Sequence, residues 1–194
     1  MANAQAIAGP EFDPGAPYAI ELLSRALQRL TRNGTSLCES IPVATFFAPQ
    51  RDRWSPAEHV RHLTMGSRPL RLAYRLPSWL LRARFGAATS PSRTFDALRA
   101  DYLRALESGA SAGRFSPRPE RAPADPEQRR RQILARWASV NDSLTSAWGT
   151  WRSLELDRIR LPHPILGRLT AREMAIFTVY HTAHHLTLLA GRLR

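Results

Sequence analysis

The sequence of 194 residues is 43% hydrophobic, carries a formal net charge of +12 and holds one cysteine, Cys38. This composition suits one folded domain with a sizeable core, and it excludes a disordered chain, an internal disulfide and a cysteine metal cluster. All 28 basic residues are arginine, and a charge of this size favours solubility and weak binding to polyanions without indicating a fold.

Residues 1–16 are predicted to be an N-terminal extension, and the first helix is predicted to cover about residues 17–31. Its apolar stripe repeats at helical spacing through Ile20, Leu23, Leu27 and Leu30. The pair Asn33-Gly34 is a plausible end for this helix, because glycine commonly follows a helix C-terminus. The only strand candidate in the whole chain is the short run Val43–Phe47.

A second helix is predicted to begin at Ser55, because residues 55–58 (SPAE) form a capping box with proline at the first helical position. Pro69 is expected to kink this helix or to end it. A shorter helix is predicted over residues 94–106. The loop that follows, residues 108–124, contains three prolines and two glycines and is expected to lie outside the core.

Two further long helices complete the pattern. One begins at the cap formed by residues 125–128 (DPEQ), and the last begins at a second capping box, residues 170–173 (TARE), and can end at Gly191. Four long amphipathic helices predict an all-α four-helix bundle. Residues 17–192 would form this single domain, and residues 77–123 would be an insertion, with an extra helix and a Pro-rich loop, between the second and third main helices.

Histidines fall on the apolar stripes of the second and last helices, and a buried imidazole must be hydrogen-bonded or used. His181 and His185 are four residues apart and share a helix face, and His181 with His184 could also do so. His62 is the natural third ligand from the other helix. Neutral imidazole suits zinc, nickel, iron or copper, and three protein ligands leave a position for water or substrate.

Each histidine also has a simpler interpretation as a hydrogen-bonded core residue, and the spacing of four is equally that of a stacked helix face. His59 could replace His62 as a ligand, but it is expected to be half exposed. His163, between two prolines, is expected in a loop. Glu58 and Glu173 could serve as general bases, yet their capping positions already explain them.

No acidic residue lies between His59 and Phe95, a stretch that holds seven arginines. Three of them share a helical face (Arg68, Arg71 and Arg75), and an apolar face consists of Leu72, Leu76, Trp79 and Leu80. This pattern is typical of a basic helix that contacts anionic lipid or an acidic partner. We favour the alternative, an ordinary amphipathic helix with its apolar side in the core. Specific binding of nucleic acid is not predicted, because the sequence lacks the known recognition motifs.

Three segments resemble the DinB/YfiT-like superfamily of bacterial proteins. They are residues 54–63 (WSPAEHVRHL), residues 161–167 (LPHPILG), and residues 170–173 (TARE) leading into residues 180–185 (YHTAHH). The resemblance covers most of the chain. It implies an up-down-down-up four-helix bundle that holds a divalent metal, most often zinc or nickel.

By this resemblance the metal ligands are His62, His181 and His185, whereas His184 matches a common family histidine that usually is not a ligand. Family members include transferases that use low-molecular-weight thiols and metal-dependent hydrolases, and dimers are common among them. We therefore expect a homodimeric enzyme, a hydrolase or thiol S-transferase, that acts on a small-molecule substrate. The alternative is a protein that binds metal or a small ligand without catalysis, or one that docks through its basic surface.

No residue of the sequence identifies a catalytic group beyond the metal ligands. The basic, proline-containing segment from Arg68 to Arg93 departs from the best-understood family members, and the substrate is therefore left open. The N-terminal residues lack the basic region and long apolar core of a secretory signal, and the apolar runs are too short to span a membrane. A cytoplasmic location is the simplest expectation.

Overall fold

The computed structural model describes residues 11–49, 54–120 and 123–191, which form eight α-helices and one two-stranded sheet. The helices are α1 (Ile20–Ser40), α2 (Val43–Phe47), α3 (Pro56–Ala73), α4 (Ser78–Phe85), α5 (Phe95–Glu107), α6 (Pro126–Trp148), α7 (Ser153–Arg158) and α8 (Ala171–Ala190). Strands β1 (Arg160–His163) and β2 (Gly167–Thr170) lie between α7 and α8. The predicted all-α class is confirmed by this content.

The four long helices pack against one another around one core. Helix α6 contacts α1 and α3, and α8 contacts the same two helices. One cluster of buried apolar side chains extends through all four, from Phe12 to Leu189. Phe12 belongs to the predicted N-terminal extension, and its side chain is nonetheless buried. The up-down-down-up order and the domain boundaries stay predictions. No helix of the described ranges is long and apolar enough to cross a membrane.

Reciprocal caps fix where α3 and α8 begin, as predicted. The hydroxyl of Ser55 accepts the backbone N–H of Glu58 at 3.2 Å, and the Glu58 carboxylate accepts the N–H of Ser55 at 2.6 Å. Thr170 and Glu173 repeat this pair of bonds at 3.1 and 2.9 Å. Because the helix starts are fixed, the rotational positions of the histidines farther along both helices are fixed as well.

Helix α1 was predicted to end at Asn33-Gly34, but it continues to Ser40. A β-carbon at position 34 would lie 2.6 Å from the side chain of Leu186 and 2.8 Å from that of Trp137. Glycine is therefore placed here by the close approach of α1 to α6 and α8, and not by the end of a helix. Sequence alone does not distinguish these two uses of glycine.

Other local predictions are also corrected. The strand candidate Val43–Phe47 is the helical turn α2, and a short apolar run of this kind cannot be assigned from periodicity alone. The strands form instead an antiparallel hairpin in which Leu161 pairs with Leu169. Two prolines in and beside β1 conceal it, because proline cannot donate to a β-ladder. Pro69, expected to kink α3 or to end it, does not end it, and the helix continues to Ala73.

The inserted region contains the predicted extra helix, α5, with Thr94 as its N-cap. Helix α5 packs against α8. As expected, no described residue of 108–124 belongs to the buried apolar core, but the segment is not detached from the bundle. A 3₁₀ turn, Gly113–Phe115, contacts α3, and Pro117 is buried. Glu120 forms ion pairs with Arg61 of α3 and Arg129 of α6, so the segment is bound to two bundle helices.

The apolar face of the arginine-rich segment is exposed, contrary to the favoured interpretation. The exposed fractions of Leu72, Leu76, Trp79 and Leu80 are 62%, 37%, 69% and 39%. Only Leu81 of α4 is buried, and this residue anchors the short helix to the core. Leu72 belongs to α3, Leu76 lies between the two helices, and Trp79 and Leu80 belong to α4, so these side chains do not form the buried face of one helix.

Candidate metal centre

His62 of α3 and the pair His181 and His185 of α8 converge inside the bundle. The Nε2 atom of His181 lies 3.1 Å from Nε2 of His62 and 3.0 Å from Nε2 of His185. One ligand nitrogen from each of the three residues lies within 4.8 Å of the others. Tetrahedral coordination with zinc–nitrogen bonds places ligand nitrogens about 3.3 Å apart. The two distances from His181 are within a few tenths of an ångström of this value, and the group is therefore compatible with one ion.

Hydrogen bonding leaves a lone pair of His62 directed into the group. Its Nδ1 lies 2.9 Å from the backbone carbonyl oxygen of Phe115. A carbonyl only accepts, so Nδ1 carries the proton and Nε2 is bare. The contact with Phe115 thus fixes the ring of His62 as an outer-shell partner fixes a metal ligand.

The contacts around His181 fit a cation better than hydrogen bonds alone. Its Nε2 faces ring nitrogens of both His62 and His185, but one N–H points in one direction and can donate to only one of them. The other contact would then bring two ring nitrogens to hydrogen-bond distance with no proton between them. A divalent ion that takes nitrogen ligands satisfies all three nitrogens together.

His59 lies behind the group and orients His185. It was expected to be half exposed, yet only 3% of its surface is exposed. Its Nδ1 lies 2.8 Å from Nδ1 of His185, which leaves Nε2 of His185 to face His181. The alternative in which His59 replaces His62 as a ligand is therefore not favoured by the geometry. Which of these two buried histidines contacts His181 depends on the position of α8, which sequence does not give.

Aromatic rings enclose the three imidazoles. The ring of Trp54 is tilted over His62, with centroids 4.8 Å apart, and is stacked on His185 at 6.1 Å. Phe177 stacks on His181 at 5.0 Å. These rings restrict rotation of the imidazoles and reduce access of water to them.

Burial keeps the three imidazoles neutral. Desolvation lowers the pKa of His62, and the bond to Phe115 opposes this only in part. The pKa values of His181 and His185 lie well below the usual value, first through burial and then through the neighbouring imidazoles. Neutral imidazole is the form that offers a lone pair, so these shifts favour metal binding near neutral pH.

His163 belongs to the lining of the site, although a loop position was expected. It is the last residue of β1 and is half-buried. Its Nδ1 accepts the backbone N–H groups of Ile165 at 3.2 Å and of Leu166 at 3.0 Å. Burial lowers its pKa to about 4, so the ring is neutral and carries its proton on Nε2. Its ring contacts that of Phe177, with centroids 4.2 Å apart.

A cavity of about 380 Å³ opens beside the histidines. Its walls come from α3, α5, the 3₁₀ turn, β1 and α8, and they are mainly apolar: Leu63, Leu70, Leu106, Phe115, Met174 and Phe177. The inserted region thus supplies part of the site. His184 also lines the cavity, and it is not a member of the converging group, as the family resemblance implies.

The two glutamates considered as general bases are engaged elsewhere. Glu58 caps α3, and Glu173 caps α8 and accepts two bonds from Arg93 at 2.8 Å. Burial raises the pKa of Glu173, but the bonds from Arg93 and Thr170 outweigh it and lower the pKa overall. Burial raises the pKa of Cys38 to about 12, so this thiol is no nucleophile near neutral pH.

We expect His59→Phe to weaken metal binding by roughly 10- to 100-fold, the usual effect of removing an outer-shell partner of a ligand. The aromatic ring would remain, while the contact with Nδ1 of His185 would be lost. Competition of the purified variant with a chelator for zinc measures the change. An affinity equal to that of the wild type would show that His59 does not orient His185.

Comparison with known proteins gives one match. The sequence model of the DinB superfamily matches residues 26–189, a range that contains all three converging histidines. Comparisons with curated proteins and with solved structures gave no match. Because the match extends over most of the 194 residues, the chain belongs to the DinB superfamily.

Proposed function

We propose that this protein is a metal-dependent S-transferase, with zinc or nickel held by His62, His181 and His185. The observation that carries the proposal is the convergence of three neutral imidazoles beside an apolar cavity. When bound, the ion would lower the pKa of a coordinated low-molecular-weight thiol and so supply a thiolate near neutral pH. Three protein ligands leave a position for that thiol.

The lining of the cavity favours thiol transfer over hydrolysis. Among the described residues that line it there is no carboxylate, the group that serves as general base in zinc hydrolases such as those with the HExxH motif. A thiolate needs no such base at the moment of attack. Trp54 and Phe177 limit the access of water, which would compete with the thiol.

The proposed reaction joins the sulfur to an electrophilic carbon of the substrate. The carbon–sulfur bond forms as the bond from that carbon to its leaving group breaks, and the leaving group departs with the electron pair. The thiol proton passes to solvent. The chain contributes the three ligands, the orientation of His62 by Phe115 and of His185 by His59, and a cavity that holds the substrate beside them.

Turnover with a low-molecular-weight thiol and 1-chloro-2,4-dinitrobenzene tests the proposal. Protein reconstituted with zinc or nickel is expected to form the thioether and chloride faster than the uncatalysed reaction, and His181→Ala is expected to lose this rate. Leu72→Gln changes an exposed residue outside the cavity lining and should keep the activity. Equal rates for the wild type and His181→Ala over a range of thiols and electrophiles would contradict it.

A further inference from the structure

The cavity beside the histidines has an uncharged interior and a charged rim. Its lining within the described ranges includes one arginine and no acidic residue. That residue, Arg114, is exposed, and its guanidinium lies over the ring of Phe115 at 5.3 Å, on the 3₁₀ turn. The inner wall is made mainly of apolar and aromatic side chains. In the metal-free protein an ionised group would lose its hydration here without gaining a buried counter-charge.

One polar group stands out on this apolar wall. The two backbone N–H bonds accepted by Nδ1 of His163 fix its proton on Nε2. This Nε2–H has no hydrogen-bond partner among residues 11–49, 54–120 and 123–191, and His163 lines the cavity. The reverse turn between β1 and β2 holds the ring in place, and Phe177 packs against it. A fixed donor in an apolar cavity discriminates strongly, since a ligand with a matching acceptor gains what an apolar analogue cannot.

We infer that the cavity binds neutral, largely apolar molecules of about the size of a bicyclic aromatic, and that His163 donates a hydrogen bond from Nε2 to an acceptor oxygen on them. Such molecules would be the electrophilic substrates of the proposed S-transferase, so their role as substrates rests on that function. The binding of these molecules does not depend on the proposed function, because the contacts come from the cavity wall and not from the ion. His163 would thus determine specificity.

A matched pair of ligands tests this inference. 2-Acetylnaphthalene carries a carbonyl acceptor, and 2-ethylnaphthalene has nearly the same shape without it. We expect the wild type to bind the acetyl compound about fivefold more tightly, as one neutral hydrogen bond allows. His163→Phe should abolish this preference while still binding the ethyl compound. Affinities are measured by calorimetry on metal-free protein and again after zinc is added.

Two further variants control for the location of binding. Leu106→Trp enlarges a side chain of the cavity wall and should weaken both ligands, whereas Leu72→Gln should weaken neither. Far-ultraviolet circular dichroism confirms that each variant is folded. Failure of both naphthalenes to bind the wild type, or an unchanged preference in His163→Phe, would overturn the inference.

The charge of the ligand is tested separately with 2-naphthoate. On metal-free protein we expect this anion to bind more weakly than 2-acetylnaphthalene, because the described wall then offers no buried cation. If 2-naphthoate instead binds more tightly than 2-acetylnaphthalene, the inference that the cavity prefers neutral molecules is overturned. Loss of that tighter binding in Arg114→Ala would show that Arg114 binds the carboxylate. If the metal-loaded wild type forms no thioether from 1-chloro-2,4-dinitrobenzene but binds the naphthalenes as expected, the proposed reaction is contradicted. The inferred binding site is then unaffected.

Discussion

The variant His181→Ala is expected to lose tight binding of zinc and nickel. Nε2 of His181 is the atom that contacts both of the other ligand nitrogens, so its removal leaves two ligands on different helices. The loss of affinity should exceed the roughly 10- to 100-fold effect of changing an outer-shell partner. Elemental analysis after reconstitution of metal-free protein measures the stoichiometry, and competition with a chelator measures the affinity.

The neighbouring histidine provides a matched control. His184 lies on the same helix but outside the converging group, and His184→Ala should bind the ion with nearly wild-type affinity. The double variant His62→Ala/His185→Ala should behave as His181→Ala does. If the wild type binds no more metal than His181→Ala, or if His184→Ala is the more damaging change, the assignment of ligands is wrong.

A second expected result concerns Gly34, where a methyl group would collide with Leu186 and Trp137. Overpacking of a core costs about 1–3 kcal/mol. Replacing glycine by alanine inside a helix recovers about 1 kcal/mol. We therefore expect Gly34→Ala to reduce the free energy of unfolding on balance. Unfolding in urea measures the difference, and an unchanged slope with denaturant shows that stability itself has changed.

Gly66 supplies the comparison. It is also helical, in α3, but a β-carbon there has no atom within 4 Å. Gly66→Ala should therefore increase the free energy of unfolding by about 1 kcal/mol. In a double-mutant cycle, Gly34→Ala and Leu186→Ala should couple favourably, because the smaller side chain makes room for the methyl group. Equal stabilisation by the two glycine replacements would show that the helices separate without cost at position 34.

Sequence predicted most of what depends on local signals. The capping boxes at Ser55 and Thr170 placed the starts of α3 and α8, and the apolar stripes placed the long helices. Features that depend on contacts between distant parts of the chain were not predicted. Gly34 carries a common signal for a helix end, and only the approach of Leu186 and Trp137 explains its place inside α1.

In the candidate site, too, local signals were predictive and contacts between distant parts of the chain were not predicted. Spacing on α8 and the family resemblance were enough to bring His62, His181 and His185 together, although binding of an ion by them stays a prediction. The inward position of His59 required the ring of His185 to be placed first. His163 was missed because its two flanking prolines suggested a loop, and the tight turn that fixes its tautomer follows it in the chain.

Phe115 contributes both to the orientation of His62, through its carbonyl oxygen, and to the wall of the cavity. The same short turn orients a ligand imidazole and forms part of the cavity wall. Substitutions in this stretch are therefore expected to change the orientation of His62 and the shape of the cavity together. The crossover between the second and third long helices can thus vary the site while the three histidines stay unchanged.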